Sequence, residues 1–283
     1  MKLASYRFRG RESYGAVSGD GIVELKSRMP KHPTLLDVLR GGALAEAKAC
    51  ARNVRPDVPL AEIELLPPLH APEKILCIGI NYANRNKDYD IADVPAYPSM
   101  FYRAPASLVG SGQDLLIPAE SEQLDYEGEI ALVIGKGGRR IGRANAHEHI
   151  AGFTLCNEGT IRDWVRHGKF NVTQGKNWDA TGSIGPWIVT TDEIDPAQPL
   201  HLTTRLNGVV TQDDTTSNMI FPFAELIRYV STFMTLKPGD IVSTGTPVKR
   251  NKTETPVWLK AGDVLEMSVP EIGVLRNAVA AER

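Results

Sequence analysis

A β-rich α+β fold is what this 283-residue sequence predicts, and three observations predict it. Short apolar runs separated by Gly, Pro and Asp fill the chain from Ser99 onward, as strands and turns do. Few stretches repeat apolar residues at helical spacing. A proline-dense segment, Leu65-Leu66-Pro67-Pro68-Leu69-His70-Ala71-Pro72, separates a small first unit, residues 1–68, from a larger one, residues 69–283.

Taken in order, Met1 to Gly10 alternates polar and apolar residues like a first strand, and Gly19-Asp20-Gly21 turns it back. A helix is expected from Thr34 to Arg40, with Thr34 as N-cap and Gly41-Gly42 as stop, and a second from Ala43 to Arg52. These make the first unit a small α+β domain. After the linker, Lys74 to Ile80 reads as a strand, and the polar stretch from Asn81 to Asp93 is long for a simple connection and suits a lid. Further strands are expected at Leu115–Ile117, Ile130–Ile134, Gly152–Cys156, Trp187–Thr190, Leu202–Leu206, Ile241–Thr244 and Val264–Ser268. The clearest helix runs from Phe223 to Met234, where Ala224, Ile227, Val230 and Ser231 repeat at helical spacing.

Composition narrows the function classes. A formal charge of −2 leaves no basic footprint for nucleic acid, and no apolar stretch is long enough to span a bilayer. The first residues lack the continuous apolar core of a signal peptide, which reads as a cytoplasmic protein. Three widely spaced cysteines, Cys50, Cys77 and Cys156, form neither a disulfide framework nor a zinc knuckle and read as fillers.

The chemistry-bearing signal is Leu124-Asp125-Tyr126-Glu127-Gly128-Glu129, at the head of the apolar run Ile130 to Ile134. A strand alternates faces with period two, so Glu127 and Glu129 point the same way and repel unless a cation neutralises them. Asn157-Glu158-Gly159-Thr160-Ile161-Arg162-Asp163 follows a second apolar run and could close a site of three carboxylates. Ligands that are all oxygen favour Mg²⁺ or Mn²⁺, accept Ca²⁺ and disfavour Zn²⁺. Two decoys carry less. His147-Glu148-His149 lacks the i, i+4 spacing of helical zinc sites, and Gly135-Lys136-Gly137-Gly138-Arg139-Arg140 lacks the Gly-Lys-Ser/Thr ending of a phosphate loop and reads as a turn.

With those acidic segments, Lys74 to Ala83, Gly175-Lys176-Asn177-Trp178-Asp179, Gly185-Pro186-Trp187 and Pro238-Gly239-Asp240 through Thr246-Pro247 stand in an order that resembles the fumarylacetoacetate hydrolase family. The resemblance implies a mixed β-sandwich or roll as catalytic domain, one Mg²⁺ or Mn²⁺ and a homodimer. It implies Glu127, Glu129 and Glu158 as metal ligands, the last often Asp in the family. Lys176 and Arg162 would polarise or hold the substrate, Thr246 would grip its carboxylate, and Tyr82 and Gln212 would stand near it. The implied substrate is a small 2-oxo acid, and the expected reaction is hydrolysis of a C–C bond in a 2,4-dioxo acid of acylpyruvate or fumarylpyruvate type. Isomerisation or decarboxylation of a related 2-oxo acid is the alternative. The family's hydrolytic members carry a His in the lid, where this chain has Arg85. Arginine cannot act as a base at ordinary pH, so three outcomes stay open: Asp88 or another carboxylate takes the proton, a metal-bound water attacks directly, or no hydrolysis occurs; Arg85 is a substrate-binding candidate.

Overall fold

The computed structural model describes residues 1–84, 94–165, 167–168, 172–250 and 256–282. Its frame is a twelve-stranded sheet in which one strand order runs through both halves of the chain. From one edge the order is Val58–Pro59, Gly21–Glu24, Arg11–Ser18, Lys2–Phe8, Gly182–Thr190, Ile150–Asn157, Gly128–Ile134, Ile241–Ser243, Ile75–Gly79 and Ser99–Tyr102. Two short strands, Glu64–Leu65 and Leu108–Val109, pair beside this path. The first unit is therefore hydrogen-bonded to the second: Lys2 and Leu3 pair antiparallel with Val189 and Ile188.

Strand Gly128–Ile134 is buried at every residue, because both faces of the sheet are covered. Ile130, Leu132 and Ile134 belong to a core shared with Leu265, Met267, Leu275 and Val279, which come from a five-stranded second sheet. Ala131 and Val133, of opposite parity, belong to a core shared with Leu35, Val38, Leu39 and Ala47 of the N-terminal helices. The second sheet together with helix Phe223–Phe233 on one side, and the N-terminal helices on the other, make the expected β-rich α+β layering.

Local signals behave as the sequence indicates. The first helix is Leu35–Arg40, and Thr34 forms a capping box with Asp37: its hydroxyl accepts from the Asp37 N–H at 3.2 Å, and the Asp37 carboxylate accepts from the Thr34 N–H at 3.0 Å. The second is Leu44–Ala51 and the last Phe223–Phe233, with Phe223, Leu226, Ile227 and Val230 on the buried face. Two long strands escaped the sequence reading, Val209–Thr215 and Gly273–Ala281. Val209–Thr215 has only one buried residue, and in Gly273–Ala281 the buried positions Leu275, Asn277 and Val279 alternate but include a polar Asn, so neither shows apolar alternation in the sequence.

Candidate metal centre

Glu127, Glu129 and Glu158 converge where the central sheet meets a small two-stranded ribbon, Leu124–Asp125 with Thr160–Ile161. Pairing of Gly128 with Asn157 and Glu129 with Cys156 sets the register. The Glu158 N–H donates to the Glu127 carbonyl at 2.9 Å, and the Glu127 N–H donates to Asn157 Oδ1 at 3.1 Å. One oxygen from each carboxylate lies within 4.8 Å of the others. Gly128 between the two glutamates is forced by packing, since a Cβ there would stand 2.2 Å from Thr204 Oγ1 and 3.0 Å from Gln212 Oε1.

The three carboxylates are nearly sealed from solvent, at 5%, 1% and 2% exposure. Glu129 Oε2 accepts from Ser243 Oγ at 2.5 Å and from the Gly245 N–H at 2.9 Å. Burial nevertheless pushes the Glu129 carboxyl well above its ordinary range, and Glu158 and Glu127 push it further. Burial also raises Glu158, against the pull of Lys176 and Arg103. The Lys176 ammonium contacts Glu127 Oε2 and lies 3.0 Å from Glu158 Oε1. Burial pulls that ammonium down, but the two carboxylates outweigh it and hold it above its usual value. Arg162 Nη2 donates to Glu127 Oε1 at 2.7 Å.

These donors fit a hard divalent cation. Glu158 Oε1 is buried with Lys176 Nζ at 3.0 Å and Arg103 Nη1 at 3.8 Å as its cationic neighbours but with no well-aligned hydrogen bond among the described residues, and Lys176 is shared with Glu127, so three buried carboxylates leave room for a further cation. Three carboxylate oxygens and no sulfur or imidazole suit Mg²⁺ or Mn²⁺, with octahedral positions left for water and substrate. Among the described residues this is the sole cluster of three such ligands.

Above the carboxylates lies a cavity of about 320 Å³. Arg162, Lys176 and Thr246 line it with the three glutamates, and Ile78, Ile80, Met100, Phe101, Val165 and Val172 form its apolar wall. The sequence candidates thus divide. Glu127, Glu129, Glu158, Lys176, Arg162 and Thr246 share one cavity. Gln212 stands behind it: its amide donates to Thr246 Oγ1 at 2.8 Å and to the Pro247 carbonyl at 2.7 Å, and its carbonyl accepts from the Gly128 N–H at 3.1 Å. With the side chain committed on both ends and fully buried, Gln212 steadies Thr246 rather than facing the cavity. Tyr82 is also buried, at 1% exposure, and bridges to Met219 away from the cavity lining. Arg85 and Asp88 lie outside the described residues.

The decoys resolve as structure. His149 is buried with Nδ1 2.7 Å from the Lys136 carbonyl, and His147 lies in a different hollow. His167 stacks on Trp164 with ring centroids 4.2 Å apart. Cys77 and Cys156 are buried, burial raising the Cys156 thiol to about 12, and Cys50 is half-buried.

Sequence reading missed two charged residues behind the carboxylates. Arg103, 3% exposed, donates from Nη1 to the Gly159 carbonyl and from Nε to Ser107 Oγ, both at 2.8 Å. Nη1 stands 3.8 Å from Glu158 Oε1, behind the third proposed ligand. Nothing in Tyr102-Arg103-Ala104 marks it as buried. Asp125 takes Arg162 Nε at 2.8 Å, and its place beside Tyr126-Glu127 was the available signal.

A family model described as fumarylacetoacetate (FAA) hydrolase C-terminal matches residues 74–280. The chain is 36% identical over 268 residues to "Oxaloacetate tautomerase FAHD2A, mitochondrial" of Bos taurus, covering 93% of this chain and 85% of that protein. Among solved structures it is similar to a fumarylacetoacetate hydrolase from psychrophilic Exiguobacterium antarcticum, with a TM-score of 0.83 and 33% identity, each chain covered in full. It is also similar to a 5-carboxymethyl-2-hydroxymuconate delta-isomerase from Mycobacterium smegmatis, with a TM-score of 0.78 and 28% identity, again over 100% of both chains.

Proposed function

This chain belongs to the fumarylacetoacetate hydrolase family, and on that footing we propose that it is a divalent-metal-dependent tautomerase of a small 2-oxo acid of the oxaloacetate class. The observation that carries the reading is the content of the cavity. It holds a lysine ammonium against two carboxylates of the floor, and no histidine lines it among the described residues. That set supplies a proton donor beside a carbonyl, and among the described residues it offers no imidazole to act as a base toward water. A relative named as an oxaloacetate tautomerase, at 36% identity, supports the same choice.

Glu127, Glu129 and Glu158 would hold Mg²⁺ or Mn²⁺, which supplies Lewis-acid stabilisation of an enolate when bound. Arg162 and Thr246 orient the substrate's carboxylate from the cavity wall. Lys176 Nζ, charged and close to the carboxylates, delivers the proton to the carbon beside the keto group in the enol-to-keto direction. The enol hydroxyl gives its proton to solvent and the Lys176 amine takes one back from solvent, so the enzyme is restored, and the step consumes no water and releases no fragment. Met100, Phe101 and Val165 narrow the space around the reacting carbon and keep bulk water from it. We carry a homodimer with this reading, on an exposed aromatic patch of Tyr102 and Phe233 with Tyr97 stacked on Tyr229.

Hydrolysis of an acylpyruvate is the second reading, favoured by the likeness to a fumarylacetoacetate hydrolase structure at 33% identity. The two differ in stoichiometry. The test follows the ultraviolet decay of enol-oxaloacetate, and pyruvate release from acylpyruvates and oxaloacetate, with Mg²⁺, Mn²⁺ or chelator. Metal-dependent acceleration of the enol decay, abolished in Lys176→Met, is expected. Pyruvate plus a second acid from an acylpyruvate, with no acceleration of the enol decay, would install the hydrolase instead. Pyruvate and carbon dioxide from oxaloacetate would point to decarboxylation.

A further inference from the structure

Asp125 is 5% exposed and stands two residues before Glu127, yet its carboxylate faces two cations rather than the metal position. Oδ2 accepts from Arg162 Nε at 2.8 Å. Oδ1 accepts from the Lys249 ammonium and from the Tyr126 N–H at 2.9 Å. Lys249 also lies over the Tyr126 ring, 3.8 Å from its centroid, and follows Thr246 by three residues. Arg162, held by its Nε edge, turns Nη2 to Glu127. One buried carboxylate thus ties together two separate segments: the turn Arg162–Trp164, which carries one cavity cation, and the loop that carries Thr246.

A guanidinium is a rigid planar fork, so fixing one edge fixes the direction of the other. We propose that Asp125 is a positioning residue for substrate binding, holding Arg162 and, through Lys249, the Thr246 loop at the separation that grips a 2-oxo acid carboxylate. This rests on the reading above that Arg162 and Thr246 contact the substrate. Gln212 steadies Thr246 from the other side, through bonds to Thr246 Oγ1 and the Pro247 carbonyl. Asp125 and Gln212 therefore fix the loop at two points along its length. A purely structural ion pair would have no reason to discriminate between metal and substrate binding.

The test uses the full chain, stripped with chelator and titrated calorimetrically with Mn²⁺, then with oxalate as a planar mimic of the enolate. Asp125→Asn keeps the shape and removes the charge that holds both cations. It is expected to weaken oxalate binding about ten-fold or more, with Mn²⁺ affinity changed by less than about three-fold. KM for enol-oxaloacetate should rise in parallel while kcat falls much less. In a double-mutant cycle with Arg162→Lys, the double variant should bind oxalate only about three-fold worse than Arg162→Lys alone, the share carried by the Lys249 arm, so the two losses are less than additive. Unchanged oxalate affinity, equal losses of Mn²⁺ and oxalate, or strictly additive losses would overturn the proposal. Should Asp125→Asn not fold, Lys249→Met removes one arm of the brace, and a loss of oxalate affinity of about three-fold is expected, with no loss counting against it. A wild type that binds Mn²⁺ and oxalate without turnover defeats the tautomerase reading and leaves the brace measurable by binding. A wild type that turns over, with Asp125→Asn indistinguishable from it, defeats the brace alone.

Discussion

The N-terminal unit and the cavity floor both place acids beside cations, and they do so to opposite effect. In the first unit, Asp57 meets Arg28 through two parallel bonds of 2.8 and 3.0 Å and accepts the Glu24 N–H at 2.7 Å. The Arg28 guanidinium holds its carboxyl below the usual range, against slight burial. On the floor, burial wins: Glu129 and Glu158 are pushed up although Lys176 and Arg103 stand near. An acid that the chain itself satisfies stabilises the fold. Acids whose buried charge the chain's own cations do not fully offset suit a ligand, and that contrast, more than the number of acids, supports the proposed metal site.

The sharpest way to break the comparison is Glu129→Gln. This change keeps the shape and removes a buried charge, so Mn²⁺ affinity should fall by about a hundred-fold or more while the metal-free protein gains about 1 kcal/mol, or roughly 2–4 °C in Tm. Calorimetric titration and thermal unfolding in chelator read the two effects together. Loss of both metal affinity and metal-free stability would mean that Glu129 is a structural acid like Asp57.

The smaller effect lies at Asp57. Its folded pKa is depressed, so its contribution is present above the unfolded value, about 3.9, and is lost as pH falls through the folded value. The side chain is 35% exposed, and solvent screening limits the pair to at most about 1 kcal/mol. Asp57→Asn should lower Tm slightly at pH 6, and the wild-type and variant curves should converge as the pH is taken below the folded pKa. Curves that stay parallel down to pH 2 would remove Asp57 from the set of satisfied acids.

Much of this was legible in the sequence because the relevant forces act over short stretches. The Thr34 N-cap, the apolar face of Phe223–Phe233 and the strand Leu115–Ile117 each follow from spacing within a few residues. The acidic pair at Glu127 and Glu129 was visible because strand parity alone places two like charges together. Illegible features depend on contacts between distant segments. No local pattern says that Lys2 and Leu3 pair with Val189 and Ile188, which merges the first unit into the central sheet. Nor does any say that Arg103 threads under Gly159 and Gly182, where a Cβ on Gly182 would stand 2.6 Å from its Nη2. Gln212 was associated with the site by family resemblance, yet its role as a brace for Thr246 emerged only when both ends of its amide could be followed to their partners.

The central claim is that the three buried glutamates hold one divalent ion, and anomalous diffraction from crystals soaked in Mn²⁺ tests it most directly. A single strong peak, about 2 Å from one carboxylate oxygen each of Glu127, Glu129 and Glu158, is the predicted result. No peak among these residues, with Lys176 still seated on Glu127 at millimolar Mn²⁺, would contradict it.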